Sequence, residues 1–292
     1  THDNTVCEIR FYSDGIARVL KSKIGEAPDA SLTVTMTPAD VAFDFTETDE
    51  SVSARTASVT VTYTKATGAF SFADAAGNDM LAEKPTSAAI NPRKDGEFDS
   101  YTLRQTFTLD ADEPIYGLGQ IQDGNLSVRN CSYWGMQQGN SCVWIPYVHS
   151  PKGYALFWDN PSPTSFIDNA DGMTFESATG HAIDYYYLAG DSEHGDAAVA
   201  QMRALTGHAP MVPLWSYGYY QSKERYASAD ETLGVVKKYR ELGVPLDCVV
   251  QDWQYWGGNN QWNALEFLNP EFAKYQEMID GIHANNAKII IS

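Results

Sequence analysis

The stretch VVQDWQYWGGNNQW, residues 249–262, begins in an apolar run and places one aspartate, Asp252, at the head of a loop rich in Trp and Tyr. The run Cys248 to Val250 has the length and composition of a short strand that is buried on both faces. Because such strands occur in parallel sheets covered by helices, this stretch predicts an α/β fold with a polar group at a strand end.

The sequence on both sides of this strand alternates between helix and strand patterns. SADETLGVVKKYRELGV has helical spacing, with Ser228 as the expected N-cap and Gly243 as the stop. NPEFAKYQEMIDGIHANNA repeats the pattern, with Asn269 as N-cap and Pro270 at the first position. Since the last predicted strand needs a further neighbour, we expect the sequence to be part of a longer α/β domain. The predicted parallel strands lie near residues 215–220, 247–252 and 288–291.

Residues 1 to about 190 have a different, β-rich pattern. In ASVTVTYT, the side chains of Val59, Val61 and Tyr63 alternate with Thr, which predicts a strand with one buried and one solvent-exposed face. Many strands without an intervening helix favour an antiparallel β-sandwich. Further predicted strands are SLTVTMT, YTLRQTFTL, SCVWIPYVHS and GYALFWDN. The expected organisation is a sandwich over residues 1–190, a helix and linker over 191–212 and the α/β part over 213–292.

Composition and net charge disfavour some classes of binding partner. The 292 residues are 43% hydrophobic and 20% charged, which is typical of a folded globular chain. The formal net charge of −18 disfavours nucleic acid, because phosphate binding needs clustered Lys and Arg. No run of about 18 apolar residues occurs, so no membrane-spanning helix is predicted. A neutral or cationic small molecule, or a neutral glycan, fits this charge.

The cysteines and histidines lack the spacing of a metal site. Cys248 is expected to be a buried small hydrophobic residue, whereas Cys131 and Cys142 could pair across a hairpin or stay free. The GLG of residues 117–119 lies in a β region, so dinucleotide binding is not expected. We predict neither a cofactor nor a metal. The histidines in β or loop contexts are interpreted as structural: His149, His181, His194 and His208.

Asp252 has two interpretations. Ligands of parallel α/β sheets bind beyond the carboxyl ends of the strands, which is where Asp252 is expected. There, flat apolar faces of a sugar can stack on Trp and Tyr while a carboxylate accepts hydrogen bonds from the hydroxyls. The alternative is that Asp252 caps a turn and that the surrounding aromatic side chains belong to the core.

The motifs PLWSYGYYQSKERY, VPLDCVVQDWQYWG and AKIIIS, in this order, resemble glycoside hydrolase family 31, the α-glucosidase and α-xylosidase family. EPIYGLGQIQDGN and KGYALFWDN look like the N-terminal sandwich of that family, so the resemblance covers roughly residues 95–292. The QDWQYWG and QSKERY forms look closest to the α-xylosidase-like branch.

The resemblance implies a galactose mutarotase-like β-sandwich followed by a (β/α)8 barrel that begins near Pro213 and stops after about the third strand. It also implies a retaining mechanism with two aspartates, a nucleophile and an acid/base. In the family both lie on later strands, so no catalytic residue is expected within this sequence and the fragment alone is predicted to be inactive. Asp252 matches a different family aspartate, which binds hydroxyls of the sugar at subsite −1.

Each further substrate-binding candidate also has a structural interpretation. Arg225 falls near a position that lines the aglycone side in the family, or it forms an ion pair with Glu224 or a neighbour. Of Trp253 and Tyr255, one is expected to line the pocket and the other to pack. Residues 132–142 match a family loop that touches substrate, or they form a simple hairpin loop. The candidates in that loop are Trp134, Met136 and Gln137.

The resemblance therefore implies a retaining α-glycoside hydrolase of α-xylosidase or α-glucosidase type, which releases a terminal α-linked sugar from an oligosaccharide. The alternatives are a carbohydrate-binding or catalytically incompetent fragment, and a transglycosylase or α-glucan lyase of the same family. The expected partner is an oligosaccharide or glycoside, with no nucleic acid and no membrane; oligomerisation stays open.

Overall fold

The computed structural model describes residues 4–191, 195–262 and 264–292. Contacts divide the chain into two compact units, Thr1–Ala209 and Pro210–Ser292. Each unit has a hydrophobic core of its own. Among the predicted structural histidines, His194 lies outside the described residues.

In the described part of the first unit, sixteen strands precede one helix. The strands are β1 (Thr5–Ser13), β2 (Ile16–Lys23), β3 (Asp44–Glu47), β4 (Ser51–Arg55), β5 (Val59–Thr64), β6 (Ala69–Asp74), β7 (Asp79–Glu83), β8 (Ala89–Asp95), β9 (Phe98–Thr108), β10 (Tyr116–Gln120), β11 (Ser132–Met136), β12 (Val143–Ser150), β13 (Tyr154–Trp158), β14 (Thr164–Asn169), β15 (Gly172–Ser177) and β16 (Ala182–Ala189). The helix is α1 (Asp196–Thr206).

These strands form two sheets, and every strand pair described within them is antiparallel. The six-stranded sheet has the order β1-β2-β16-β13-β12-β10. The ten-stranded sheet has the order β11-β14-β15-β9-β7-β6-β5-β4-β3, with β8 paired to β9. The predicted antiparallel sandwich is therefore confirmed.

The predicted alternation in β5 places Val59 and Val61 in the core, where both are almost fully buried. Aromatic side chains from the two sheets meet in this core. Phe72 of the ten-stranded sheet stacks on Tyr187 of the six-stranded sheet with ring centroids 4.4 Å apart. Stacked rings of this kind add to the stabilisation that burial of their area provides.

A buried ion pair crosses the sandwich core. The Nζ of Lys21 in β2 donates to Oε2 of Glu83 in β7 at 2.6 Å, and both side chains are at most 1% exposed. Lys21 also donates to the carbonyl of Gly68 and to Oε1 of Gln105, so its three donors all have acceptors. The carboxylate of Glu83 accepts further bonds from Phe70 and Tyr185. The complete set of hydrogen bonds offsets the free-energy cost of removing the two charges from water.

We predict that Lys21→Met lowers the free energy of unfolding of the first unit by about 3–5 kcal/mol, because it leaves the Glu83 charge buried without its counter-charge. Lys65→Met is the matched control, since Lys65 pairs with Glu47 at the surface and exposed pairs contribute about 0–1 kcal/mol. Urea denaturation of the chain provides the measurement. A Lys21 variant as stable as the Lys65 variant contradicts the prediction, and Lys21→Met combined with Glu83→Gln should recover part of the loss.

The segment SLTVTMT, residues 31–37, is not a strand, so that prediction is wrong. Its amides bond elsewhere: those of Thr35 and Met36 both donate to the carbonyl of Leu205 near the end of α1. Val34 and Met36 pack against the cluster that joins α1 to the six-stranded sheet. The segment therefore has no strand neighbour and is held by α1 instead.

The second unit has three parallel strands in the order β17-β18-β19 within its described residues. Both predicted N-caps are present, since the Ser228 side chain accepts from the amide of Glu231 and the Asn269 side chain accepts from that of Glu271. Gly243, past the end of α2, has the positive φ that favours glycine as a helix stop. The elements are β17 (Tyr220–Gln221), α2 (Ala229–Glu241), β18 (Cys248–Gln251), α3 (Tyr275–Ala284) and β19 (Lys288–Ile291), with 3-10 helices at Leu214–Tyr217, Asn259–Gln261 and Pro270–Phe272.

The first strand of this sheet is shorter and later than the predicted range 215–220. The amides of Ser216 and Gly218 donate to the carbonyls of Pro213 and Trp215, which forms a 3-10 turn in place of strand pairing. Gly218 lies so close to the Asp247 carboxylate that an added side chain would clash. Only Tyr220 and Gln221 then pair with β18.

All four cysteines are free thiols, including Cys131 and Cys142, and Cys248 is buried as expected. Among the residues that the structure describes, no helix is both long and apolar enough to cross a membrane. In the same residues, no three His, Cys, Asp or Glu side chains gather in a way that could hold a metal ion.

Candidate functional site

Asp252 directly follows β18, at the carboxyl end of the central parallel strand. Its Oδ1 accepts a hydrogen bond from the amide of Trp253 at 2.7 Å. The side chain of Asp252 is half-buried. One oxygen therefore holds the turn, while Oδ2 receives no hydrogen bond from the described residues.

Gln251, the last residue of β18, fixes the backbone at this point. It is fully buried, its Oε1 accepts from the hydroxyl of Thr232 in α2 at 2.7 Å, and its Nε2 donates to the carbonyl of Asp252 at 3.1 Å. Sequence reasoning missed this residue. The available signal was a single polar side chain at the end of an apolar strand, since a buried amide must find partners.

The aromatic side chains after Asp252 divide into packed and accessible groups. Tyr255 and Trp256 are almost fully buried, with ring centroids 5.0 Å apart. Trp262 is 56% exposed and stacks on the half-buried Trp253, with centroids 5.9 Å apart and planes 20° from parallel. Of the two candidates in this loop, Tyr255 packs against Phe267 in the core, and Trp253 is the more accessible ring.

Arg225 lies over the Trp253 ring, with its guanidinium carbon 5.2 Å from a ring centroid. Its side chain is exposed, and no carboxylate of the described residues lies within ion-pair distance of it. Glu224 therefore does not pair with it in this structure. By contrast, the neighbouring Lys223 does form an ion pair, with Glu231 at 2.7 Å. An unpaired guanidinium on an indole face is a cation–π contact that leaves its N–H groups available to a ligand.

Gln221, at the end of β17, is held by two tyrosine hydroxyls. Its Oε1 accepts from Tyr219 at 2.8 Å and from Tyr239 at 2.5 Å. Strand β17 therefore ends in a polar side chain whose acceptor is fully used, which gives it a structural role in this arrangement.

The three candidates in the first unit lie at one end of β11 and differ in accessibility. Trp134 is 70% exposed, Met136 is buried and Gln137 is exposed. Met136 and Gln137 line a cavity of about 610 Å³ within the first unit, and Trp134 does not. Asp159 also lines this cavity and directly follows β13, as Asp252 follows β18. GYALFWDN contains that signal, a polar residue directly after a predicted strand, and sequence reasoning missed Asp159 as a candidate.

We predict that Gln251→Met destabilises the second unit by about 1–3 kcal/mol, because it leaves the carbonyl of Asp252 and the hydroxyl of Thr232 without this partner. Urea unfolding followed by tryptophan fluorescence measures this, since four of the seven tryptophans lie in the second unit: Trp215, Trp253, Trp256 and Trp262. Gln276→Met, at an exposed position of α3, is the control and should be near neutral. Equal stability of the two variants contradicts a fixing role for Gln251.

The chain thus combines an antiparallel β-sandwich with a parallel sheet whose central strand ends at a carboxylate beside accessible indoles. Residues 6–166 match the family model described as the glycosyl hydrolase 31 N-terminal galactose mutarotase-like domain. Residues 209–292 match the model described as the glycosyl hydrolases family 31 TIM-barrel domain. The chain belongs to glycoside hydrolase family 31, and it comprises the N-terminal sandwich and the start of the barrel domain.

Individual relatives agree with this family. The chain is 41% identical over 204 residues to an α-xylosidase of Saccharolobus solfataricus, covering 67% of this chain and 28% of that protein. It is 26% identical to α-glucosidase 2 of Bacillus thermoamyloliquefaciens, covering 99% of this chain and 37% of that protein. The fold is similar to the crystal structure of the family 31 α-xylosidase from Xanthomonas citri, with a TM-score of 0.87 at 23% identity, covering 99% of this chain and 48% of that one. The chain thus spans about a third of the length of the curated relatives it matches.

Proposed function

We propose that this chain is part of a retaining α-glycoside hydrolase of the α-xylosidase or α-glucosidase type, acting on the terminal α-linked sugar of an oligosaccharide. The observation that carries the proposal is Asp252, placed at the carboxyl end of a parallel strand with Trp253 and Arg225 beside it, in a unit that matches the family's barrel domain. The names of the curated relatives, α-xylosidases and α-glucosidases, support the substrate class.

In this proposal Asp252 binds sugar hydroxyls. Its Oδ1 is held by the amide of Trp253, so the carboxylate has a fixed direction and Oδ2 can accept from a ligand. Charge-assisted hydrogen bonds of this kind are about twice as strong as neutral ones. The stacked indoles of Trp253 and Trp262 offer an apolar surface for a sugar ring, and Arg225 can donate to an oxygen of the leaving group.

The bond-breaking groups are proposed to lie outside this chain. A retaining mechanism needs two carboxyl groups about 5–5.5 Å apart, one to attack the anomeric carbon and one to protonate the leaving oxygen. The resemblance assigns neither of these roles to Asp252. The short coverage of the relatives supports this division, since most of their length has no counterpart here.

We predict that Asp252→Ala in the longer enzyme lowers kcat/KM by about a hundred-fold to ten-thousand-fold. Two charge-assisted hydrogen bonds of roughly 1.5–3 kcal/mol each are lost from the bound transition state. Hydrolysis of p-nitrophenyl α-xyloside and α-glucoside gives the kinetics, and the melting temperature is measured on the same variant. Asp280→Asn, at an exposed position of α3, should leave both unchanged.

A structural role for Asp252 has a different signature. Loss of a turn-capping bond costs about 1 kcal/mol of stability and leaves kcat/KM near that of the parent enzyme. That pair of results would contradict the sugar-binding role of Asp252.

We also predict that the purified 292-residue chain does not hydrolyse activated α-xylosides, α-glucosides or α-galactosides, because it lacks both proposed catalytic carboxylates. The measurement is release of p-nitrophenol over hours at high protein concentration. Turnover that co-purifies with the chain and disappears in Asp252→Ala would show that the chemistry lies within these residues.

A further inference from the structure

The cavity of about 610 Å³ lies wholly within the first unit. Its walls come from the extended segment after β2, the turn between β11 and β12, the end of β13 and helix α1. Its lining includes Leu32, Gln137, Trp144, Asp159, Pro161 and Met202. Sites that hold small organic ligands typically measure about 300–1,000 Å³, so this cavity has room for a ligand of disaccharide size.

The lining chemistry restricts the ligand. Most lining side chains are apolar, and no Lys, Arg or His of the described residues belongs to the lining. An anion would therefore find no counter-charge, and its desolvation would go uncompensated. A neutral ligand with an apolar face fits these walls.

One wall of the cavity is fixed in place. The side-chain amide of Gln138 both donates to the carbonyl of Trp144 at 2.8 Å and accepts from its amide at 3.1 Å. On its other side, the Trp144 ring contacts Tyr133, with centroids 5.3 Å apart. An indole that is held before binding loses little entropy when a ring stacks on it.

Two polar side chains give the walls a capacity for hydrogen bonding. The side-chain amide of Gln137 is exposed and has no hydrogen-bond partner among the described residues. Asp159 is half-buried, and its Oδ2 is buried with no partner there. Burial raises the pKa of this carboxyl, against hydrogen bonds from Ser31 and Thr33. Because Oδ2 has almost no accessible surface, a ligand that donates a hydrogen bond to it must expose it on binding.

We propose that this cavity is a binding site for a neutral saccharide. An apolar wall, a fixed indole and a few unpaired polar groups match a sugar ring, which has C–H faces and a hydroxyl rim. The proposal stands on the first unit alone and does not depend on the role of Asp252.

The test is calorimetric titration of the 292-residue chain with maltose and with methyl α-xyloside. Saturable binding is expected. Gln137→Ala and Asp159→Asn should each weaken it by roughly two- to twelvefold, the equivalent of one hydrogen bond. Gln122→Ala, at an exposed position outside the cavity, is the matched control and should bind as the parent does. Melting temperatures show that each variant is folded.

Asp252→Asn separates this proposal from the proposed function. Binding that is lost in Asp252→Asn but unchanged in Asp159→Asn places the saccharide in the second unit and overturns the cavity proposal, while the proposed function stands. Binding that is weakened in Asp159→Asn and unchanged in Asp252→Asn supports the cavity. Saturable binding of 1-octanol with no binding of either sugar would show an apolar site and also overturn the proposal.

Discussion

The sandwich depends on one buried ion pair, Lys21 with Glu83, which joins its two sheets through the core. An unpaired charge at this depth costs about 3–5 kcal/mol of stability, and the donors and acceptors around the pair are hydrogen-bonded to each other. Lys21 reaches Gln105 and the carbonyl of Gly68, and Glu83 reaches Tyr185. These bonds tie β2 and β16 of one sheet to β7 and β9 of the other. The pair therefore links the two sheets at one place in the core, whereas burial of the surrounding apolar and aromatic side chains provides most of the stabilisation.

The second unit also contains a buried polar side chain whose hydrogen bonds join separate elements. The buried amide of Gln251 joins the end of β18 to α2 and holds the carbonyl of Asp252. The side chain of Asp252 then closes on the amide of Trp253. The Asp252 carboxylate is thus held by the backbone amide of the following residue, while the preceding residue holds the Asp252 carbonyl.

The observations in both units agree with membership of glycoside hydrolase family 31. The matched domains give the sandwich and the start of a barrel, and the relatives extend well beyond both. Asp252, the accessible indoles of Trp253 and Trp262, and the guanidinium of Arg225 are the groups that the proposed function assigns to sugar binding. In the proposed mechanism, bond cleavage uses two further carboxyl groups, which the proposal places in a longer enzyme.

The sequence by itself determined the features that depend on local periodicity and capping: the alternating β5, the N-caps Ser228 and Asn269, and Asp252 at a strand end. Tertiary structure decided what depends on distant partners. SLTVTMT has strand composition, yet its amides bond to the carbonyl of Leu205 near the end of α1. The burial of Lys21 was equally invisible, because its acceptors are 47 to 84 residues away in the chain. Propensity acts through neighbours in sequence, while the pairing of a backbone amide or a buried charge is settled only by which groups the folded chain brings together.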